Sequence, residues 1–560
     1  MAMAKNEDVL SYDYAEIEKQ FSWYETGKIN MAHECIDRHA EGVSKDKVAL
    51  NFVGDDSSQK LTFADLKNQS NKFGNVLKKY GMKKGDRIFT FFPRSPEVYV
   101  SILGILKIGA IVGPLFEAFM LGAVKDRLED SEAVAIVTTP AMLDRIPKKD
   151  LPNLKYIILV NANEADYSGD EYIFYEKEMA EASDALDIEW VDREDPMILH
   201  YTSGSTGKPK GIVHVHNAMI SHYMTAKKVL GLSSDDVYWC TADPGWVTGT
   251  SYGIFGPWLT GTTNVIRGGR FGADKWYKTI QDEKITVWYS APTAFRLLMS
   301  KGDALVKEYD LSCLRRIYSV GEPLNPEVVK WGESVFALTI MDTWWMTETG
   351  SMLIANSPDL EVRPGSMGKP LPGITASIID DSGKELGPNE MGNLAIKKGW
   401  PSMMRKVWKN EPKFNEYFEF DPWYMSGDSA FIDEDGYFWF QGRVDDVIKT
   451  SGERVGPFEV ESALVEHPAV AEAGVIGKPD AIRGQIIKAF ISLREGYTAS
   501  DELKDEIATH VKTHLAAHAV PREVEFKDKL PKTRSGKIMR RVLKAWDLGL
   551  PTGDLSGMDD

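Results

Sequence analysis

Between two apolar, strand-like segments the chain carries Thr202, Ser203, Gly204, Ser205, Thr206 and Gly207, followed by Lys208, Pro209 and Lys210. Small hydroxyl residues and glycines in succession let backbone N–H and side-chain O–H groups converge on a polyphosphate, and the lysines supply compensating charge. The run therefore reads as a nucleotide phosphate loop. It is not a Walker A loop, because GxxxxGK[ST] would need glycine at Thr202 and Ser or Thr at Pro209. Phosphoryl transfer of the kinase kind loses its main support.

Two other chemistry-bearing patterns read as structure. GTSYG at 249–253 matches GxSxG, but a nucleophile elbow needs a strand before its serine, and Pro244 and Gly245 stand there instead of one leading to Ser251. His510, His514 and His518 are spaced to share one helix face and hold a metal, yet no HExxH accompanies them, so a solvated helix face is the reading. Lys537 lies in a basic stretch, 529–541, which composition alone would place on a solvated surface.

These groups must be positioned by more than one core, since 560 residues exceed what a single core organises, about 250 to 300. With 43% apolar and 27% charged residues the chain has an ordinary globular composition. A formal charge of −17 opposes nucleic acid and anionic membrane surfaces, so a phosphate-bearing partner needs a local cationic site. Three scattered cysteines, Cys35, Cys240 and Cys313, fit neither a disulfide framework nor a CxxC metal site, and predict a reducing cytoplasm. The acidic first residues lack the apolar core of an export signal. The most apolar stretch, 98–116, is interrupted by Lys107, Pro114 and three glycines, which predicts a buried helix and strand rather than a membrane span.

Strand-like runs at 133–137, 156–160, 197–201 and 374–379 alternate with segments of helical period, which predicts an α/β chain without internal repeats. Composition breaks near 440–456. Beyond it, a proline-opened helix at 457–467, strands at 469–477 and 486–493, and a helix capped by Ser500 with Leu503, Ile507, Val511 and Leu515 on one face predict a separate C-terminal domain of about 115 residues.

YTSGSTGKPKG at 201–211 resembles the signature of the adenylate-forming superfamily of acyl-CoA synthetases, luciferases and peptide-synthetase adenylation domains. Four further motifs follow in the family's order: SVGEPLNP at 319–326, DTWWMTETG at 342–350, the segment from WYMSGD to SGERV at 423–455, and PKTRSGKIMRR at 531–541. FSWYETGKINMAHECIDRH at 21–39, ADPGWVTGTSYGIFGPW at 242–258 and the pair Trp344 and Trp345 are similar to the acetyl-CoA synthetase branch. The resemblance implies an α/β fold: residues 1–443 form an AMP-binding domain of two doubly wound subdomains plus a small β-barrel, and 444–560 a mobile α+β domain hinged at Asp445.

The same resemblance assigns roles. Lys537 bridges the acid's carboxylate and the α-phosphate, Thr347 touches that phosphate, and Glu348 helps hold the Mg²⁺ of ATP. Gly321, Glu322 and Pro323, with Asp342, Thr343, Trp344 and Met346, line the adenine pocket, where Met346 departs from the family's more usual Gln. Asp428 accepts the ribose hydroxyls with Arg443 beside it, and Arg454 reaches the phosphates. Trp345 floors the acyl pocket, completed by Val247, Thr248 and Val320, and its indole leaves room for a methyl group but no chain. For coenzyme A the resemblance implies Thr248, Ser451, Gly452, Lys512 and Arg145, and for a structural cation the carbonyls of Val465, His467 and Val470. The implied reaction joins acetate, ATP and coenzyme A into acetyl-CoA, AMP and pyrophosphate, with no nucleic-acid or membrane partner. The alternatives are a propionyl or medium-chain acyl-CoA synthetase and a nucleotide-binding regulatory protein without catalysis. Acetylation of Lys537, by a protein lysine acetyltransferase and reversed by a deacetylase, is a further implication.

Overall fold

The computed structural model describes residues 14–202, 209–450, 453–533, 537–552 and 558. Two large sheets carry most of the chain. In the first, strand Ile111–Pro114 lies between Pro196–Thr202 and Arg87–Phe91, and parallel strands Ala135–Thr138, Tyr156–Leu159 and Tyr172–Phe174 extend the sheet beyond Arg87–Phe91. Lys210–Val215 returns antiparallel on Pro196–Thr202, so the phosphate-loop segment connects two adjacent strands.

The second sheet has a parallel centre, Val48–Val53, Thr263–Arg267, Val237–Cys240, Val287–Ser290, Arg316–Val320 and Ile340–Trp344, with short antiparallel edges. Parallel strands need both faces covered, and these read accordingly as short apolar runs followed by helices. Ile88, Val112 and Val137 of the first sheet and Leu50 and Ile266 of the second belong to one continuous buried cluster, together with residues of helices Phe63–Lys79 and Pro96–Lys107. Thr62 and Asp65 close a reciprocal capping box at the start of the first of these helices.

The segment expected as a small β-barrel is a four-stranded antiparallel sheet, Ala376–Ile379, Gly392–Lys397, Trp423–Ile432 and Phe438–Arg443. A turn, Val444–Asp446, then leads into the last sheet. There Gly484–Leu493 lies between Ile448–Thr450 and Val470–Asp480, antiparallel to both, and pairs in parallel with Glu523–Phe526. Alternation along the strand divides the covering helices: Val475 and Ala489 pack with Pro457–Val465 and Asp501–His514, whereas Ile476 and Phe490 pack with Leu543 of Arg540–Leu548. Ser500 caps its helix as expected, its Oγ accepting from the Leu503 N–H at 3.2 Å.

The apolar stretch 98–116 is the buried helix Pro96–Lys107 and strand Ile111–Pro114. No described helix is long and apolar enough to cross a membrane. The expected histidine row is shorter than its spacing suggests: the helix ends at His514, and His518 sits in a separate turn, Ala517–Ala519. His510 and His514 stack with ring centroids 3.9 Å apart, and no metal-holding group of His, Cys, Asp or Glu occurs among the described residues.

Lys107 is fully buried, and its Nζ donates to Asp37 Oδ1 at 2.7 Å and to Asn71 Oδ1 at 2.6 Å. Burial pushes the Asp37 carboxyl up and the Lys107 amine down, so the pair exists because each offsets the other's desolvation. Asp37→Ala strands the ammonium and is expected to cost about 3–5 kcal/mol, read as a lower urea midpoint. Asp37→Ala combined with Lys107→Met should recover much of that loss, and an unchanged midpoint in the single variant would contradict the account.

Candidate active site

Asp428 lies on strand Trp423–Ile432 directly opposite Arg443 on Phe438–Arg443. Its Oδ1 accepts from Arg443 Nη1 at 2.7 Å and its Oδ2 from Trp344 Nε1 at 2.9 Å. One buried carboxylate thus ties the small antiparallel sheet to the end of the second large sheet. Gly427 has φ +73°, and a Cβ there would meet Arg443 Nη2 at 2.6 Å, so the residue before this carboxylate must be glycine for the guanidinium to fit.

Trp344 and Trp345 point to opposite sides. Trp344 packs with Ile378, Ile396 and Tyr424 of the small sheet, while Trp345 joins Val320, Tyr252, Tyr289 and the half-buried Val247. Three of the four expected acyl-pocket residues therefore share one apolar cluster, and Thr248 follows Val247 in the short helix Val247–Thr250. Asp342 is buried and pushed up to about 8 by desolvation, with the Thr343 N–H donating to it at 3.0 Å. Glu322 accepts from Thr293 Oγ1 at 2.7 Å and Arg296 Nη2 at 2.8 Å, and Gly321 before it has φ +89°. Pro323 completes that turn.

Glu348 accepts from the Tyr417 hydroxyl at 2.9 Å, and Lys210 Nζ donates to the same hydroxyl at 2.8 Å. Desolvation holds the Lys210 amine below its ordinary range, with Glu348 opposing that shift. From the C-terminal domain Lys537 enters the same cleft. It keeps solvent access, but desolvation between the walls and the Arg443 guanidinium lower its amine, while Asp428 and Glu322 act in the opposite sense. Its backbone is clamped by Thr533, which accepts from Lys537 N at 3.1 Å through Oγ1 and donates through its own N–H to Lys537 O at 2.8 Å.

The remaining expected residues have partners of their own or lie at the surface. Arg454 donates to Asp381 at 3.0 Å, at a turn of the small sheet. Arg145 donates to the carbonyls of Glu117 at 3.0 Å and Phe119 at 3.4 Å, which holds a loop. Lys512 is exposed on Asp501–His514, and Asp445 is exposed in the turn before the last sheet. Of the expected cation carbonyls, that of His467 accepts from Val470 N at 3.0 Å and that of Val470 from Arg494 Nε at 3.0 Å. Ser251 donates to the Gly350 carbonyl at 3.0 Å and is no nucleophile elbow. Ser203, Gly204, Ser205, Thr206, Gly207, Lys208, Ser451 and Gly452 lie outside the described residues.

Residues 36–408 match the family model described as AMP-binding enzyme, and residues 459–537 the one described as AMP-binding enzyme C-terminal domain. The chain belongs to the AMP-binding enzyme family. Within it, the chain is 64% identical over 558 residues to the acetyl-coenzyme A synthetase of Bacillus subtilis (strain 168), covering 98% of this chain and 97% of that protein. It is 41% identical over 564 residues to the acetyl-coenzyme A synthetase of Methanothrix thermoacetophila, covering 96% and 86%. The crystal structure of an anthranilate CoA ligase in complex with anthranoyl-AMP matches with a TM-score of 0.86 at 31% identity, covering 93% of this chain and 98% of that one.

Sequence reasoning missed the groups that hold the turn from Thr347 to Gly350. His214 Nε2 reaches the Thr347 carbonyl at 2.6 Å and His222 Nε2 the Gly350 carbonyl at 3.0 Å. Trp400 Nε1 and Ser402 Oγ both donate to the Thr349 carbonyl, at 2.9 and 2.8 Å. The signal for His214 was its inward place in the strand Lys210–Val215, where a polar residue among buried apolar ones asks for a partner. Both histidines donate to carbonyls and so carry the proton on Nε2 while neutral; burial pushes His214 down to about 4 and His222 to about 3. Because these folded values lie below the unfolded value of about 6.5, the unfolded state takes up the protons first and stability falls as pH drops through that window. His222→Gln is expected to remove one proton's share of the slope, about 1.4 kcal/mol per pH unit between roughly pH 6 and 4. Urea titrations at stepped pH measure it, and identical slopes for the two proteins would refute the assignment.

Proposed function

We propose that this chain joins acetate to coenzyme A at the expense of ATP, releasing AMP and pyrophosphate, through a bound acetyl-adenylate. The observation that carries the reading is the position of Lys537, brought from the C-terminal domain into the electrostatic reach of Asp428, Arg443 and Glu322. A carboxylate attacking the α-phosphorus of ATP is opposed by like charge, and a cation held where the two anions meet offsets that repulsion. In the first step a carboxylate oxygen of acetate bonds to the α-phosphorus and pyrophosphate leaves. In the second the thiol sulfur of coenzyme A bonds to the acyl carbon, its proton is lost and AMP leaves. Acetate, in place of a generic acid, rests on the indole of Trp345 at the floor of the apolar cluster and on the 64% identity to a protein named acetyl-coenzyme A synthetase.

Asp428 already accepts two hydrogen bonds, from Arg443 and Trp344, and a carboxylate has about four acceptor sites, so capacity remains for the ribose hydroxyls. Gly321, Glu322, Pro323, Asp342, Thr343, Trp344 and Met346 line the adenine side, and Thr347 meets the α-phosphate. A magnesium ion bound with ATP fits Glu348, a buried carboxylate whose Oε1 takes the Tyr417 hydroxyl and whose second oxygen is a hard donor; when bound it neutralises triphosphate charge. Residues 1–443 and 444–560 act as two bodies that rotate about Asp445 between the half-reactions, which withdraws Lys537 and brings Ser451 and Gly452 to the thiol's path. Acylation of Lys537 by a lysine acetyltransferase would cancel its charge and silence only the first step, with a deacetylase restoring it.

Lys537→Ala is expected to slow acetate-dependent pyrophosphate release by about 10² to 10³ while conversion of supplied acetyl-AMP to acetyl-CoA persists. Loss of both half-reactions with the fold intact would assign Lys537 a different role. Trp345→Gly is expected to move preference toward propionate and butyrate, checked by kcat/KM for each acid; an unchanged order would remove Trp345 from the acyl pocket.

A further inference from the structure

The indole of Trp345 is not simply packed in place. Its Nε1–H donates to the Tyr289 hydroxyl at 3.0 Å, and that hydroxyl lies 2.7 Å from Thr343 Oγ1. Thr343 Oγ1 in turn donates to the Ser319 carbonyl at 2.7 Å. Since Thr343 spends its only hydroxyl proton on that carbonyl, Tyr289 must donate to Thr343, and the polarity of the whole chain is fixed: Trp345 to Tyr289 to Thr343 to Ser319. All four residues are buried, and Ser319 immediately precedes Val320, a member of the same apolar cluster. A second tyrosine, Tyr252, meets the indole edge-on at 5.0 Å and an interplanar angle of 80°. Tyr252 is itself pinned, its hydroxyl accepting from Met352 N at 3.0 Å and lying 2.7 Å from Thr225 Oγ1.

We propose that Tyr289 is a specificity-determining residue: by fixing the tilt of the Trp345 indole through this one-way hydrogen-bond chain, it sets how long an acyl group the pocket admits. The proposal rests on the reading of Trp345 as the pocket floor. An apolar pocket distinguishes acids differing by one methylene through about 1–3 kcal/mol of contact energy, a margin that a small tilt of the ring erases. A free indole can give way to the extra carbon; one held at its N–H and against a pinned tyrosine cannot without leaving a buried donor unpaired. Tyr289 holds the ring through its hydroxyl, so it acts as a positioning group.

The experiment is kcat/KM for acetate, propionate and butyrate in Tyr289→Phe at saturating ATP and coenzyme A. The variant is expected to raise the propionate-to-acetate ratio by roughly three- to tenfold, as loss of one buried hydrogen bond implies, and to change kcat for acetate less than that ratio. Tyr318→Phe is the control: this buried hydroxyl of the same cluster donates to the Val229 carbonyl and not to Trp345, so its loss should lower the thermal midpoint without moving the ratio. Thr343→Val cuts the chain at its next link, and should shift the ratio by a similar factor with no further shift in the double variant. It decides the matter if Tyr289→Phe does not fold. An unchanged ratio in the folded variants overturns the proposal, as does an equal shift in Tyr318→Phe. If Trp345→Gly changes chain-length preference and Tyr289→Phe does not, only the lock fails; if neither changes it, the reading of the pocket floor fails first.

Discussion

Consecutive residues at the end of a strand must face opposite ways, and the whole site is organised around that constraint at Trp344 and Trp345. The first indole hydrogen-bonds Asp428 and packs on the small antiparallel sheet; the second hydrogen-bonds Tyr289 and packs in the second large sheet's core. The proposed nucleotide side and acyl side are thereby separated by the thickness of one backbone. The turn that follows carries Thr347 and Glu348 between them, and its carbonyls are taken by His214, His222, Trp400 and Ser402 from three other parts of the chain. Moving any of these groups would shift both sides together, because both hang from the same strand.

Charge is the second organising element. A chain of net charge −17 that handles polyphosphate must concentrate its cations, and the structure gathers Lys210, Arg443 and Lys537 around the carboxylates Glu348, Asp428 and Glu322. Two of these cations already have partners. Lys210 shares a tyrosine hydroxyl with Glu348, and Arg443 is paired with Asp428. The pairing keeps the guanidinium oriented before any ligand arrives, so little reorganisation is left for the moment of reaction.

The family motifs made much of this legible. SGD, GRVDD and TETG carry residues whose roles depend on local geometry, a glycine at φ +73° before a carboxylate or a strand end followed by a tight turn, and local geometry is written in neighbouring letters. The alternation of apolar strands and helices was legible for the same reason, down to the Ser500 cap. What stayed hidden were partners distant along the chain. Tyr289 sits 56 positions from the indole it holds and reads as an ordinary core residue of an apolar strand; His214 sits 133 positions from the carbonyl it meets, and its place in a strand asks for a partner without naming one. Arg454 and Arg145 are a different case: an arginine's type and place in a motif do not say which of several nearby carboxylates or carbonyls its long side chain will meet, and here these are Asp381 and a loop backbone. His518 was misplaced because a periodic pattern does not show where a helix ends.

Lys537 shows how such an arrangement couples chemistry to conformation. Its amine is disfavoured by desolvation and by the Arg443 and Arg540 guanidinium groups, and Asp428 and Glu322 oppose this. An incoming triphosphate adds several negative charges beside it and reverses that balance, so the lysine's stay in the cleft is strongest when the first step needs it. Departure of pyrophosphate removes most of the added charge, and the burial cost and the Arg443 repulsion then act again to expel the amine. In the proposed alternation, loss of the leaving group weakens the hold on Lys537, the lysine proposed to serve the adenylation step, and so favours its withdrawal.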